Sequence, residues 1–180
     1  MDPSGYLCSG GNDCFSDTIQ LEGVENNAIP VNFERCLWSV LPGNLWNNTI
    51  QVSTRLHGEG VGEDSFVKYG DIIFLRHVRS GCHMIVDSDK NSDFEPNCFV
   101  VDLGLESETV VADRCFRIVP KYKIRQEGEY VRTKDQVLFS WASSDWRYLS
   151  ATITSDEKNI HIHEVNCAPQ QFAWKLQIYD

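Results

Sequence analysis

Short apolar stretches, rich in β-branched and aromatic residues, recur along the chain between polar turns. Val67 to Val78 contains Ile-Ile-Phe-Leu after a Gly-Asp turn, and Gln136 to Trp141 has a similar composition. In Phe172 to Tyr179 every second residue is apolar, which places these side chains on one face of a strand. Clusters of Gly, Asn, Asp and Ser separate the stretches at short intervals. The pattern predicts an all-β barrel or sandwich.

Three segments of the chain share the same order of features. Each contains a serine, a turn and a bulky pair, followed by an aromatic residue in a later strand. The marker pairs are Leu7 with Trp38, Met84 with Phe116, and Leu149 with Trp174, at separations of 31, 32 and 25 residues. The second and third segments also have an upstream strand, whereas only five residues precede Tyr6 in the first.

This threefold repeat predicts a β-trefoil, in which three four-strand units surround one core. We expect a single domain with repeat 1 at about 1–41, repeat 2 at about 67–120 and repeat 3 at about 121–180. Repeat 1 is truncated in this prediction because its first strand is missing. The residues at about 42–66 are predicted to form an insertion with a short helix around Trp46 to Leu56. The alternative is chance similarity among short strand-forming segments.

Charge and composition restrict the class of protein. The 180 residues are 42% hydrophobic and 23% charged, as in soluble globular domains. The formal net charge of -10 disfavours binding to nucleic acid or to an anionic membrane surface. An apolar run of about 18 residues, long enough to span a bilayer, is not present, and Met1 to Gly5 does not resemble a signal peptide. The seven scattered cysteines predict reduced, mostly buried thiols in a cytosolic domain.

The motifs that could carry chemistry are incomplete. Asp87 to Asn91 resembles the start of a calcium-binding loop, but Ser92 replaces the required Gly and Cys98 the required Glu, so we expect a polar hairpin loop. His161 and His163 share a strand face but lack the usual zinc-ligand spacing. A nucleophile elbow is also absent from the sequence. We therefore expect no metal, no cofactor, no catalytic residue and no enzymatic activity.

Several segments resemble one known family. Pro120 to Asp135 is similar to the connection between the second and third repeats in the N-terminal β-trefoil of inositol trisphosphate and ryanodine receptors. Val67 to His77 resembles the strand that opens their second repeat, and Cys36 to Val40 resembles the end of their first. The resemblance extends from about Gly5 to Tyr179.

The two branches of this family match different segments. Asp102 to Thr109 and Glu127 to Arg132 resemble ryanodine receptors. Tyr122 to Arg125, and Val165 to Cys167 ahead of Trp174, resemble inositol trisphosphate receptors. We favour the inositol trisphosphate branch, in which this domain is called the suppressor.

The resemblance implies a regulatory domain of a ligand-gated calcium-release channel at the cytoplasmic face of the endoplasmic or sarcoplasmic reticulum. Its expected partners are the downstream ligand-binding core of the same channel and neighbouring subunits of a tetramer. The ligand-binding residues of the family lie in later domains, so this domain alone is not expected to bind inositol trisphosphate. Tyr122, Lys123, Ile124 and Arg125 match a loop that contacts a neighbouring subunit in the family, and a basic-aromatic cluster is also a favourable protein interface on physical grounds.

A lectin-like, carbohydrate-binding trefoil is the alternative function. It requires an exposed aromatic residue with polar partners in each repeat. Only one repeat offers such candidates, Trp141 and Trp146.

Overall fold

The computed structural model describes residues 5–9, 19–23, 29–43, 66–153 and 162–177. The described residues form short 3₁₀ helices at Phe33–Cys36 and Val111–Arg114, and they contain no helix that could cross a membrane. The predicted helix around 46–56, with most of the insertion at 42–66, lies outside the described residues. Eleven strands are described: β1 Gly5–Ser9, β2 Ile19–Gly23, β3 Trp38–Pro42, β4 Ile72–His77, β5 His83–Asn91, β6 Phe99–Gly104, β7 Phe116–Pro120, β8 Gln136–Trp141, β9 Tyr148–Ile153, β10 Ile162–Ala168 and β11 Trp174–Lys175.

Antiparallel pairing closes seven of these strands into a barrel. The order around the barrel is β4, β5, β6, β10, β9, β8 and β7, and β7 pairs with β4 to complete the ring. The other strands extend it: β3 pairs with β4, β11 with β8, and the β1–β2 hairpin joins through β2 to β10. The all-β prediction is therefore confirmed, whereas the division into three trefoil repeats remains a prediction.

One apolar core fills the fold, and all six repeat markers contribute to it. Met84, Phe116, Leu149 and Trp174 are buried members of the core, which also contains residues of β2, β4, β6, β8 and β10. Leu7 and Trp38 pack against it while half-buried. The alternation of apolar residues thus identifies the inward-facing side chains of strands from all three segments.

Two of the marker pairs make the same polar contact. The Trp38 indole Nε1 donates to the carbonyl oxygen of Leu7 at 2.9 Å, and the Trp174 Nε1 donates to the carbonyl oxygen of Leu149 at 2.9 Å. These bonds satisfy the single donor of each buried indole. The resemblance between the first and third segments therefore extends from sequence spacing to hydrogen bonding.

Matching turns precede β4 and β8. Gly70 has a φ of 95° and Lys134 a φ of 74°, both in the left-handed region. The next residue is an aspartate in each turn, and its Oδ2 accepts a backbone amide three residues earlier: Lys68 N to Asp71 at 2.7 Å, and Arg132 N to Asp135 at 3.0 Å. The two segments thus share a turn that caps the start of the strand.

Some strands differ from the sequence prediction in length. The Gly70 turn separates Val67 to Tyr69 from β4, which begins only at Ile72. β11 contains only Trp174 and Lys175, since its pairing with β8 ends there and Leu176 instead bonds to the preceding loop. The expectation that 87–91 is a loop is wrong, because a register shift opposite β6 extends β5 to Asn91.

The thiol prediction is confirmed in part. Cys98, Cys115 and Cys167 are free and buried. Cys8 and Cys36, however, form a disulfide between β1 and the first 3₁₀ helix, and Cys82 is disulfide-bonded as well, which corrects the expectation that these cysteines are reduced. The sequence did not reveal this pair because the two residues are 28 positions apart and only the fold brings them together.

Candidate interaction surface

The candidate residues lie on the loop 121–135, which connects β7 to β8. Lys121 N donates to the Gln136 carbonyl oxygen at 3.2 Å and closes the base of the loop. The loop contains five cationic and three acidic side chains, in a chain whose net charge is -10. The loop is therefore locally basic, and it connects two adjacent strands of the closed barrel.

Three of the four candidate residues face solvent. Tyr122 is 56% exposed and Ile124 is 83% exposed, and Lys123 between them is exposed as well. The Tyr122 hydroxyl donates to Oε1 of Gln136 at 2.9 Å, which limits the orientations of the ring. Two large apolar side chains with a cation between them are a suitable anchor for another protein, because they bury area at little entropic cost.

Arg125, the fourth candidate, is engaged within the loop. Its guanidinium lies 3.4 Å from Oδ1 of Asp135 and 3.6 Å from Oε2 of Glu129, and its side chain is 28% exposed. Its backbone N also donates to the Tyr122 carbonyl oxygen at 3.2 Å. Arg125 therefore holds the shape of the loop, while Tyr122, Lys123 and Ile124 form its outer face.

Asp135 organises the loop from below. Its carboxylate accepts the buried Tyr69 hydroxyl at 2.9 Å in addition to the Arg132 amide and the Arg125 guanidinium. Burial disfavours the charged carboxylate, but these three donors outweigh burial and hold the pKa of Asp135 below its usual range. Burial, followed by the bond to Asp135, raises the pKa of Tyr69 to about 12. Sequence reasoning missed this role, although Asp135 occupies the repeated turn.

A second exposed aromatic group consists of Tyr130, in the same loop, and Phe66, which precedes β4. Tyr130 pairs with Lys68 in an isolated β-bridge, and the Lys68 Nζ lies 5.0 Å from the centre of the Tyr130 ring. Phe66 packs edge-on against that ring at 5.7 Å between centroids and is 58% exposed. The loop thus presents apolar area at both of its ends.

A cleft of about 260 Å³ opens between the β5–β6 hairpin and the residues that follow β6. Ile85, Leu103 and Leu105 contribute apolar surface, and the carboxylates of Asp87, Asp102 and Glu108 line it with Lys90. Lys90 bonds to Asp87 at 2.8 Å, and this hydrogen bond raises the pKa of Lys90. The excess of carboxylates makes the cleft unfavourable for a polyphosphate.

The candidate sugar-binding tryptophans differ in position. Trp141 is 6% exposed, and its indole donates to the Ala112 carbonyl oxygen at 3.2 Å, so it cannot stack on a ligand. Trp146 is 58% exposed, with the Arg147 guanidinium 4.4 Å above its ring. The His161 and His163 side chains lie outside the described part of the structure.

The buried thiols are poorly suited to nucleophilic chemistry. Burial raises the pKa of Cys115 to about 11 and that of Cys167 to about 12, and it also raises the pKa of Cys98. A thiol is nucleophilic only as the thiolate, so these three side chains are inert at neutral pH.

Comparison with known protein families gives a match across almost the whole chain. The matching family is described as inositol 1,4,5-trisphosphate/ryanodine receptor, and its model covers residues 4–180. The match includes every described strand and the complete 121–135 loop. The chain therefore belongs to the inositol 1,4,5-trisphosphate/ryanodine receptor family.

Proposed function

We propose that this chain is the N-terminal, suppressor-like regulatory domain of a ligand-gated intracellular calcium-release channel. We assign it to the inositol trisphosphate receptor branch, on the residues around Tyr122 and Val165. The domain acts through protein contacts that tune ligand affinity and gating, and it is not an enzyme. Family membership across residues 4–180 supports the channel assignment.

We infer that the fold is a β-trefoil. Three hairpins, β1–β2, β5–β6 and β9–β10, contain the three aliphatic markers or lie beside them. The matching indole bonds of Trp38 and Trp174, and the matching turns at Gly70 and Lys134, support equivalent repeats. A fold with such repeats presents similar connecting loops at several places, and one of them can become specialised for a partner.

The exposed face of the 121–135 loop is the single observation that carries the regulatory proposal. Tyr122 and Ile124 point into solvent from a loop that Asp135 and Arg125 hold in one shape. A pre-shaped apolar surface loses little conformational entropy on binding. We propose that it contacts the downstream ligand-binding core or a neighbouring subunit of the tetramer, at the cytoplasmic face of the endoplasmic or sarcoplasmic reticulum.

The domain is proposed not to bind inositol trisphosphate by itself. The cleft beside β5 and β6 is lined by Asp87, Asp102 and Glu108, which repel phosphate groups. Of the basic residues in the 121–135 loop, Lys123, Arg132 and Lys134 are exposed, and Arg125 is paired with Asp135 and Glu129. The domain therefore acts on a ligand site that belongs to another part of the channel.

An association measurement tests the proposed surface. The chain is titrated by calorimetry into the ligand-binding region of an inositol trisphosphate receptor, with Tyr122→Ala and Ile124→Ser as loop variants. Each variant is expected to weaken binding by about tenfold or more, as for an interface anchor. Phe94→Ala is the matched control, because Phe94 is 57% exposed on a different loop. Equal affinity for Tyr122→Ala, Ile124→Ser and wild type would show that the loop is not the contact surface.

A further inference from the structure

Cys8, Cys36 and Glu22 form a cluster apart from the 121–135 loop. The two Sγ atoms and a carboxylate oxygen of Glu22 all lie within 4.8 Å of one another. Cys8 is fully buried, whereas Cys36 and Glu22 are half-buried, so the cluster is sheltered but reachable from solvent. In this structure the two sulfur atoms are joined as a disulfide.

The fold holds both cysteine segments together without the disulfide. Arg35 Nε donates to the Ser9 carbonyl oxygen at 2.8 Å. Ser9 directly follows Cys8, and Arg35 directly precedes Cys36. The Trp38 indole bonds to the Leu7 carbonyl oxygen on the other side. Because these two bonds flank the cysteine pair, reduction leaves the thiols facing each other.

Pairing within the β1–β2 hairpin supplies the third group. Cys8 pairs with Gln20, and Glu22 is two residues further along β2 on the same face. Diagonal neighbours on an antiparallel pair are within reach of long side chains. The Glu22 carboxylate therefore lies beside the two sulfur atoms.

We propose that the reduced chain binds Zn²⁺ through the thiolates of Cys8 and Cys36 and the carboxylate of Glu22. Tetrahedral Zn²⁺ with its usual bond lengths places two sulfur ligands about 3.8 Å apart and a sulfur and an oxygen about 3.6 Å apart. The three ligand atoms already lie within 4.8 Å of one another, and opening the disulfide allows the two sulfur atoms to separate to the zinc-bound distance. Water occupies the fourth position, as in other zinc sites with three protein ligands.

The ligand set selects the metal. Thiolates are soft ligands that favour Zn²⁺ over Ca²⁺ or Mg²⁺, which require oxygen ligands. Two thiolates and a carboxylate exceed the charge of Zn²⁺ by one, so the bound site would carry a single net negative charge.

The exchange between the two states is balanced. Two molecules of a small thiol reduce the disulfide to two cysteine thiols and become one oxidised disulfide. Zn²⁺ then displaces the two thiol protons, which pass to solvent, and forms two Zn–S bonds. Oxidation releases the metal, so metal binding and the disulfide exclude each other.

The test compares reduced and oxidised protein. The full chain is reduced with a phosphine and titrated with Zn²⁺ against a chromophoric chelator, and Co²⁺ is used separately to reveal thiolate-to-metal charge-transfer absorption. We expect one Zn²⁺ per reduced chain, a thiolate band with Co²⁺, and no comparable binding by oxidised protein.

Variants locate the ligands. Cys36→Ser should abolish the Co²⁺ thiolate band or reduce it to a single-thiolate spectrum, and Glu22→Gln should weaken Zn²⁺ binding by about tenfold or more. Glu22→Gln retains both cysteines, so it tests the site even if Cys36→Ser fails to fold. Glu34→Gln makes the same charge change at an exposed residue of the 3₁₀ helix that contains Cys36, and it should bind as wild type. No stoichiometric Zn²⁺ binding by reduced protein, or wild-type affinity in Glu22→Gln, would overturn the proposal.

Discussion

Asp135 shows how one side chain fixes the shape of the candidate surface. Its carboxylate joins the buried Tyr69 hydroxyl, the Arg125 guanidinium and the Arg132 amide, which come from three separate places in the chain. Each contact is a charge-assisted hydrogen bond, and such bonds are stronger than neutral ones. Tyr122 is joined to this network by the hydrogen bond from the Arg125 backbone N to its carbonyl oxygen at 3.2 Å.

Replacing Asp135 with Asn should destabilise the protein by about 1–2 kcal/mol in free energy of unfolding, because the charge that satisfies three donors is lost. Urea denaturation followed by tryptophan fluorescence measures the change. Asp145→Asn, on an exposed turn, is the matched control and should change stability by less than about 0.5 kcal/mol. Equal stability of Asp135→Asn and wild type would show that the network contributes nothing.

The acid dependence of stability follows from the same carboxylate. Its pKa is lower in the folded state than the ordinary value of 3.8, so its contribution is present above that value and is lost as the pH falls through the folded value. The stability difference between wild type and Asp135→Asn should therefore be constant near neutrality and shrink below about pH 4. Urea midpoints measured from about pH 7 to about pH 2 test this, and a difference that persists unchanged at the acid end would contradict it.

The burial of charged side chains in the core could not be predicted from the sequence. Arg147 is buried, with its guanidinium 3.8 Å from the Phe99 ring and bonded to the Asn97 carbonyl oxygen at 2.8 Å. Arg114 is also buried, and its guanidinium carbon lies 5.2 Å from the centre of the Phe74 ring. A hydropathy pattern predicts that charged residues lie on the surface. Only the fold shows that these two guanidinium groups are buried against aromatic rings, where backbone carbonyl oxygens accept their hydrogen bonds.

Strands and turns can be predicted from the sequence more accurately than individual side-chain contacts can. Alternation predicted the core-facing residues, because a strand places every second side chain on one face. It did not predict where pairing stops: among the described residues 172–177, only Trp174–Lys175 form a strand, since strand length depends on the partner strand. The 121–135 loop was located by its resemblance and its charge, but the pairing of Arg125 depends on distances that the sequence does not contain.

The paired turns before β4 and β8 give a prediction about the repeats. Lys134 adopts a φ of 74°, which costs a residue with a side chain about 1 kcal/mol and costs Gly little. Lys134→Gly should therefore raise the free energy of unfolding, by up to about 1 kcal/mol. Gly70→Ala should lower it by about 1 kcal/mol or more, since the φ of 95° disfavours a Cβ.

The denaturation midpoints of Lys134→Gly and Gly70→Ala test whether the two variants change the free energy of unfolding in opposite directions. Gly128→Ala serves as a comparison, because Gly128 also has a left-handed φ, 86°, but lies in the 121–135 loop outside the repeated turn. It should destabilise the protein as Gly70→Ala does. A destabilising Lys134→Gly would show that the turn conformation is not the source of strain.

At the scale of the whole molecule, the closed ring of seven strands provides a rigid base. β7 and β8, which carry the candidate loop, pair with each other, and β7 also pairs with β4 while β8 also pairs with β9 and β11. One core packs beneath them, and the hydrogen bond from the buried Tyr69 hydroxyl to Asp135 ties the loop to this core. A rigid loop can transmit a contact with a partner into a change in the position of the whole domain.

Regulation also requires that the domain and the channel ligand influence each other. If the domain lowers the affinity of the receptor for inositol trisphosphate, linkage requires that the ligand weakens the inhibitory contact by the same factor. Couplings of this kind are typically fivefold or more. Under the proposed function, the net charge of -10 and the acidic cleft favour an effect through protein contact over competition for the ligand.

The affinity of the receptor's ligand-binding region for inositol trisphosphate, measured with and without this domain, tests the central claim most directly. Saturating domain should lower the affinity by about fivefold or more, and Tyr122→Ala should restore it while retaining the wild-type fold. An affinity that does not change on adding the domain, with no association between the two proteins, would contradict the assignment as a regulatory domain.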